Sequence, residues 1–339
     1  TFRRKKDAEE LSCGFEVLLP LYNEPENLAR KAIDSIIEQT YDRLEIILLL
    51  DNPTNEILKN LLTEYSQKDK RIISVINEQN KGLPDTLNRG IDIATGSFIA
   101  RMDGDDISAH DRLEKQLNYL YLHPEIDLLG TDAFVINEEG ELIGEYHKLS
   151  TDFSQKMMLR YITINLIHPT WFGKCELFKK CRYRNFTHCE DYDFMIRAYA
   201  LGYHFHNLKE KLFYVRIQQT SLRSVSRKYA YEQYINTLRV KKQFKEFRQK
   251  HLKVYPNLPE LIYDLNDKKK YQSTISLLND LRESFFQKRI KNFISIFIKI
   301  ARKDFRPLEF RLKVFILSKL LTIAEKIKIA NLLSKYIIS

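Results

Sequence analysis

The chain has 339 residues, 44% of them apolar, with 20 phenylalanines and 19 tyrosines, which excludes a disordered protein and leaves room for one large core plus a smaller part. Its net charge of +10 is uneven: residues 1–222 hold 28 Lys and Arg against 35 Asp and Glu (−7), and residues 223–339 hold 27 against 10 (+17). The four cysteines, Cys13, Cys175, Cys181 and Cys189, form no CxxC pair, which argues against a common zinc site or a disulfide framework and for reduced thiols.

The first two hundred residues alternate short apolar strands with amphipathic helices. Strand Phe15–Pro20 leads through Tyr22-Asn23-Glu24-Pro25 into a helix over 26–39, with Pro25 suited to a first helical turn. Strand Glu45–Leu50 ends at Asp51, a helix follows over 56–67, and a third strand spans 72–76. A helix over 85–94 precedes the strand Ser97–Met102, which stops in Asp103-Gly104-Asp105-Asp106; a helix over 110–122 follows. Continuous apolar strands alternating with helices predict a mostly parallel sheet covered on both faces. Asn137-Glu138-Glu139-Gly140 reads as a hairpin turn, so the second half of the sheet is expected to be mixed. The segment Glu190–Leu201 is a helix with acidic residues in its first turn, stopped by Gly202.

Four of these segments put polar residues on one predicted edge: Tyr22/Asn23/Glu24, Asp51, Asp103/Asp105/Asp106 and Glu190-Asp191. Ligands bind at the carboxyl ends of strands in open α/β sheets. Two carboxylates two residues apart at such an end suit magnesium or manganese, with Gly104 expected to free the turn. A carboxylate fixed at a helix start can serve as a general base, although the helix dipole alone also favours acidic residues there.

Taken in order, VLLPLYNE (17–24), EIILLLDNPTN (45–55), NKGLPDTLNRGIDIATGSFIARMDGDD (80–106), RLEKQ (112–116), HPTWF (168–172) and EDYDFMIRAYALGY (190–203) resemble glycosyltransferase family 2. These are inverting enzymes of the GT-A fold, a Rossmann-like mixed, mostly parallel sheet flanked by helices. The wording around Asp51 and RMDGDDI is similar to bacterial enzymes that build capsule, exopolysaccharide or lipopolysaccharide chains. The resemblance implies a nucleotide-sugar donor gripped by Pro20, Tyr22, Glu24, Asp51, Lys81, Arg101 and Asp103. Tyr22 would stack on the base and Asp51 would accept its N–H. A divalent ion, Mn2+ or Mg2+, would sit on Asp103 and Asp105, and Asp191 would take the acceptor's proton. Glu190, His168 and Trp171 would lie on the acceptor side, with core packing the equal alternative for Trp171. Lys81 or Arg89 would touch the diphosphate or else stay solvated; Arg101 would contact the donor or form a structural ion pair. In place of the family's common second acidic residue the chain has Leu50, and Asn52-Pro53 replaces Gly-Ser, which leaves a dTDP-sugar open beside a UDP-sugar.

Beyond about residue 223 the chain reads as basic helices with aromatic residues, a second region of 223–339 after a catalytic domain of 1–222. Ile290, Phe293, Ile294, Phe297 and Ile300 fall on one helical face with lysines opposite, the pattern of a helix lying in an anionic membrane interface or packed on its own domain. Segment 310–333 is apolar over a wider arc and is expected to pack against protein or to form a homo-oligomer interface. No apolar run reaches about 18 residues and no secretory signal is visible, while the start at Thr1 fits a trimmed end. The expectation is a cytoplasmic protein, peripheral on the inner membrane face, acting on a glycan or undecaprenyl-diphosphate-linked acceptor. A sugar nucleotidylyltransferase would need a glycine-rich loop after the first strand, which Leu21–Pro25 lacks. The basic tail carries no zinc spacing or aromatic nucleic-acid motif, so no nucleic-acid partner is expected.

Overall fold

The computed structural model describes residues 14–186, 188–217, 229–250, 268–273, 299 and 306–326. Strands β1 (Phe15–Leu21), β2 (Leu44–Leu50) and β3 (Ile72–Ile76) run parallel, joined by α1 (Glu26–Ile37) and α2 (Glu56–Lys68). After α3 (Leu83–Ile93), β4 (Phe98–Arg101) returns to the other side of β1, again parallel. The order β3-β2-β1-β4 therefore reverses direction beside β1, and the loops leaving β1 and β4 face each other across that crevice.

Past β4 the sheet changes sense. β8 (Phe172–Lys174) runs antiparallel to β4 and to β6 (Leu128–Ile136), β9 (Phe205–Arg216) runs parallel to β6, and the two-residue β5 (Ile107–Ser108) pairs with β9. The expected hairpin is present: β7 (Leu142–Tyr146) pairs antiparallel with β6, and Gly140 takes φ +95° in the turn. Helices α4 (Arg112–Leu122), α5 (Asp152–Tyr161), α6 (Cys175–Cys181) and α7 (Glu190–Ala200) complete this part, with Gly202 at φ +91° just after α7.

Both faces of the sheet are buried at β1 and β2, which explains why these two strands read as unbroken apolar runs. Val17, Leu19 and Leu21 pack with α1, α2 and α4, while Leu18, Ile47 and Leu49 face α3, α6 and α7. Among the described residues of the helical region, Val240 and Phe244 of α8 (Ala230–Gln249) join the core of α7, and Leu321 of α9 (Arg306–Lys326) joins Phe153 and Met158 of α5. The expected amphipathic helix around 290–303 and the boundary at 222/223 lie outside the described residues, Lys299 excepted. Cys175, Cys181 and Cys189 are free and buried; Cys13 lies outside the described residues.

Candidate active site

The cleft opens at the carboxyl ends of β1, β2 and β4, around a cavity of about 340 Å³ lined by Pro20, Tyr22, Glu24, Asp51, Asp103 and Asp105 among others. That volume is in the range that holds a small ligand. Tyr22, one of the lining residues, is 45% exposed.

Asp51 is buried in a cradle of N–H groups. Its Oδ1 accepts from Asn77 Nδ2 (2.6 Å) and the Lys81 amide (2.8 Å), and its Oδ2 accepts from the Gly82 amide (2.8 Å). A carboxylate offers about four acceptor positions, so one on Oδ2 is left for a ligand. Arg89 contributes indirectly: its Nη1 donates to Asn77 Oδ1 (2.7 Å) and Ile76 O (2.8 Å), holding the amide that holds Asp51. Lys81 likewise supplies its backbone, and its side chain is exposed outside the cavity lining. Gly82, at φ +81° and ψ 161°, uses a conformation nearly closed to other residues. The Asn52-Pro53 departure is built in: Asn52 donates to Asn23 Oδ1 (2.7 Å), and Asn55 caps α2 through Leu58 N (3.1 Å).

The second group of carboxylates is crowded rather than cradled. Gly104 lets the loop press on β1; a Cβ there would stand 2.5 Å from Leu21 Cδ2 and 3.0 Å from Pro20 O. Its value is this close approach, since its φ is not positive, which corrects the expectation of a special turn conformation. Burial and the neighbouring Asp103 push Asp105 up to about 6. Burial, with Asp105 and Asp103 nearby, pushes Glu24 up to about 7, although Tyr22 N–H donates to it at 2.6 Å. Asp106 is buried and accepts the Arg216 amide at 2.7 Å, while Arg216 Nε donates to Asp105 O (2.8 Å) and Nη1 to Asn137 O (2.8 Å). Arg216, at the end of β9, thus ties the acidic loop to the β6–β7 turn; no local sequence signal marks it.

Arg101, 2% exposed, pairs through Nη2 with Asp103 at 2.5 Å, so the ion-pair alternative is present. Its Nε and Nη1 have no hydrogen-bond partner among the described residues. The same positive charge opposes the upward shifts of Glu190 and Asp191 in the first turn of α7. Burial and the adjacent Asp191 push Glu190 up to about 7, and burial raises Asp191 against a Tyr192 N–H bond. The third acid of that turn, Asp193, faces inward to Arg184 (Nε, 2.9 Å) and Arg197 (Nε, 2.9 Å), which anchors the helix start.

The HPTWF segment forms the wall of this region rather than its surface. Arg112 Nη1 donates to Pro169 O (3.2 Å) and Gln116 Nε2 to Thr170 O (2.9 Å), giving RLEKQ a physical role. Trp171 is fully buried, packed on His168 and Phe194, so its ring has no face for a sugar; the core-packing alternative is the one realised. His168 is 9% exposed and its Nε2 meets Tyr183 Oη at 2.8 Å; burial and the Arg101 charge push its pKa well down. Both expected acceptor contacts therefore back the site from behind.

A divalent ion fits the donor set only in part. Among the described residues no three carboxylate, thiol or imidazole groups converge on one point. Two carboxylates with substrate phosphates completing the shell is a common arrangement for magnesium, and Asp103 with Asp105 matches it.

The profile for Glycosyl transferase family 2 matches residues 16–182. The chain is 37% identical over 202 residues to an uncharacterized glycosyltransferase of Methanocaldococcus jannaschii, covering 59% of this chain and 70% of that one. The chain belongs to glycosyltransferase family 2. This family 2 glycosyltransferase is also 33% identical over 205 residues to the amylovoran biosynthesis glycosyltransferase AmsE of Erwinia amylovora (60% of this chain, 76% of that one). Its fold is that of solved GT-A enzymes. S. aureus TarS 1–349 with UDP-GlcNAc superposes with a TM-score of 0.52 at 17% identity, covering 83% and 89% of the two chains. The mannosyltransferase of Pyrobaculum calidifontis in complex with GDP-Man and Mn2+ gives 0.51 at 17%, covering 66% and 64%.

Proposed function

We propose that this glycosyltransferase moves a sugar from a UDP-sugar to a glycan carried on a polyprenyl diphosphate lipid, with inversion, in assembly of a bacterial surface polysaccharide at the inner membrane face. The observation that carries the reading is the cavity that Asp51 shares with Asp103 and Asp105, with Glu190 and Asp191 linked to that acidic loop through the charge of Arg101. The UDP and UDP-GlcNAc complexes of TarS and the amylovoran role in the name of AmsE support the donor class and the product class.

Tyr22 stacks on the base, and the free position on Asp51 Oδ2 accepts the single ring N–H that uracil or thymine offers. Pro20 and Glu24 shape the same cavity. Nε and Nη1 of Arg101, buried and without a hydrogen-bond partner among the described residues, would be satisfied by the donor diphosphate. Asp191 accepts the proton of the acceptor hydroxyl as its oxygen attacks the anomeric carbon. The bond from that carbon to the phosphate oxygen breaks, its electron pair leaves with the nucleoside diphosphate, and attack from the opposite face inverts the centre. Asp103 and Asp105 would hold a divalent cation, which when bound supplies Lewis-acid stabilisation of the leaving diphosphate; the Mn2+ in the GDP-Man complex of the Pyrobaculum enzyme supports it.

The test is release of nucleoside diphosphate from a panel of UDP-, dTDP- and GDP-sugars with Mn2+ or Mg2+. Release from one donor, cut roughly 10²–10⁴-fold by Asp191→Asn while calorimetric UDP binding persists, is expected. Failure of UDP and dTDP to bind with metal present would refute the reading.

A further inference from the structure

Helix α9 is apolar on two sides, which is unusual for a helix at a surface. Inward, Leu317 and Leu321 pack on Leu149, Phe153 and Met158, and Glu325 Oε1 accepts the Ser150 (2.8 Å) and Thr151 (3.0 Å) amides at the start of α5. Its seat on the catalytic domain is therefore specific. Outward, Leu312, Phe315, Ile316, Leu320 and Ile323 are 44% to 60% exposed. At about 100° per residue they span an arc of roughly 140°, one continuous stripe. Exposed Ile57 and Leu122, by contrast, stand singly on their helices. The stripe runs into a cavity of about 460 Å³ between α5 and α9, lined by Met157, Tyr161, Ile316 and Leu320 among others.

We propose that this outward face of α9 docks on an anionic lipid surface, lying in its plane. The charge decides between lipid and a second copy of the chain. Lys319 stands in the stripe, 5.9 Å from the Phe315 ring centroid, Lys313 borders it, and residues 223–339 carry a balance of +17. Lysine is depleted where proteins pack on one another and enriched where helices lie in lipid headgroups, its stem along the apolar stripe and its ammonium among phosphates. No described helix is long and apolar enough to cross a membrane, in keeping with an in-plane helix. Helix α5, on which α9 packs, is also tied to α7: Tyr192 Oη, next to Glu190 and Asp191, donates to Leu159 O at 2.6 Å. The inference deepens the membrane-bound acceptor reading and rests on it, but is independent of the donor chemistry.

The experiment sediments the full chain with phosphatidylcholine vesicles, with and without phosphatidylglycerol, at matched salt, beside Phe315→Ser/Ile323→Ser and the control Ile57→Ser. Binding to phosphatidylglycerol vesicles is expected to fall at least tenfold (about 1.4 kcal/mol) in the double variant and to be unchanged in the control. Melting temperature and donor turnover in solution should stay as in the unmodified chain, since all three residues are exposed. Equal vesicle binding by the double variant, or none by the unmodified chain, would overturn the proposal. So would a dimer that the double variant converts to monomer while vesicle binding persists, which assigns the face to a second copy. Vesicle binding without donor turnover would sink the transferase reading alone.

Discussion

Two carboxylate sites line one cavity and are built on opposite principles. Asp51 accepts three N–H groups from Asn77, Lys81 and Gly82, so its charge is spent inside the protein and only a single acceptor position remains. Asp103, Asp105, Asp106 and Glu24 instead crowd one another, and burial with mutual repulsion lifts Asp105 to about 6 and Glu24 to about 7. A satisfied carboxylate suits a neutral base edge; a set that raises its own free energy suits a cation and the anion that comes with it.

The largest effect expected from breaking this contrast is on the crowded side. Asp105→Asn should cost on the order of 10³-fold in kcat/KM and abolish the response to Mn2+, read by nucleotide release across a metal titration. On the cradled side, Asn77→Ala leaves Asp51 Oδ1 and the Arg89 guanidinium each short of a partner. It should raise KM for the donor about tenfold or more, from about 1–3 kcal/mol of lost pairing, with kcat little changed. A fall in kcat at constant KM would contradict the assignment of Asp51 to the base. Gly82→Ala should lower stability by about 1–3 kcal/mol through strain at φ +81°, measured by denaturant titration.

The smallest effect is a slope. A carboxyl whose folded pKa of about 7 lies above its ordinary 4.5 binds its proton more tightly in the folded state. Between those values the folded protein holds more protons than the unfolded chain, so stability falls as pH rises. In chelator, the melting temperature should therefore drop from pH 5 to pH 8, Glu24→Gln should flatten that drop, and Mn2+ should offset it. An unchanged slope in Glu24→Gln would show that Glu24 does not share the charge burden.

Much of this was legible along the chain because the signals are local. Apolar runs at strand spacing located β1, β2 and β4, and the polar residues at their ends marked the cleft. Trp171 shows the limit: a lone tryptophan in HPTWF reads equally as platform or core, and the fold buries it against His168 and Phe194, with Arg112 and Gln116 holding Pro169 and Thr170 beside it. The wide apolar arc over 310–333 likewise fits protein packing, yet α5 covers one side of α9 and leaves the other open.

The sequence by itself determined the strand–helix order, the family and the acidic residues of the cleft, since each depends on neighbours within a turn or a strand. Tertiary structure alone decided how each acid is used. Asn77 and Gly82 reach Asp51 from 26 and 31 residues away, and Arg216 reaches Asp106 from 110. A carboxylate's free energy is set by the donors and charges within a few ångströms of it, and those arrive from parts of the chain that no local pattern relates.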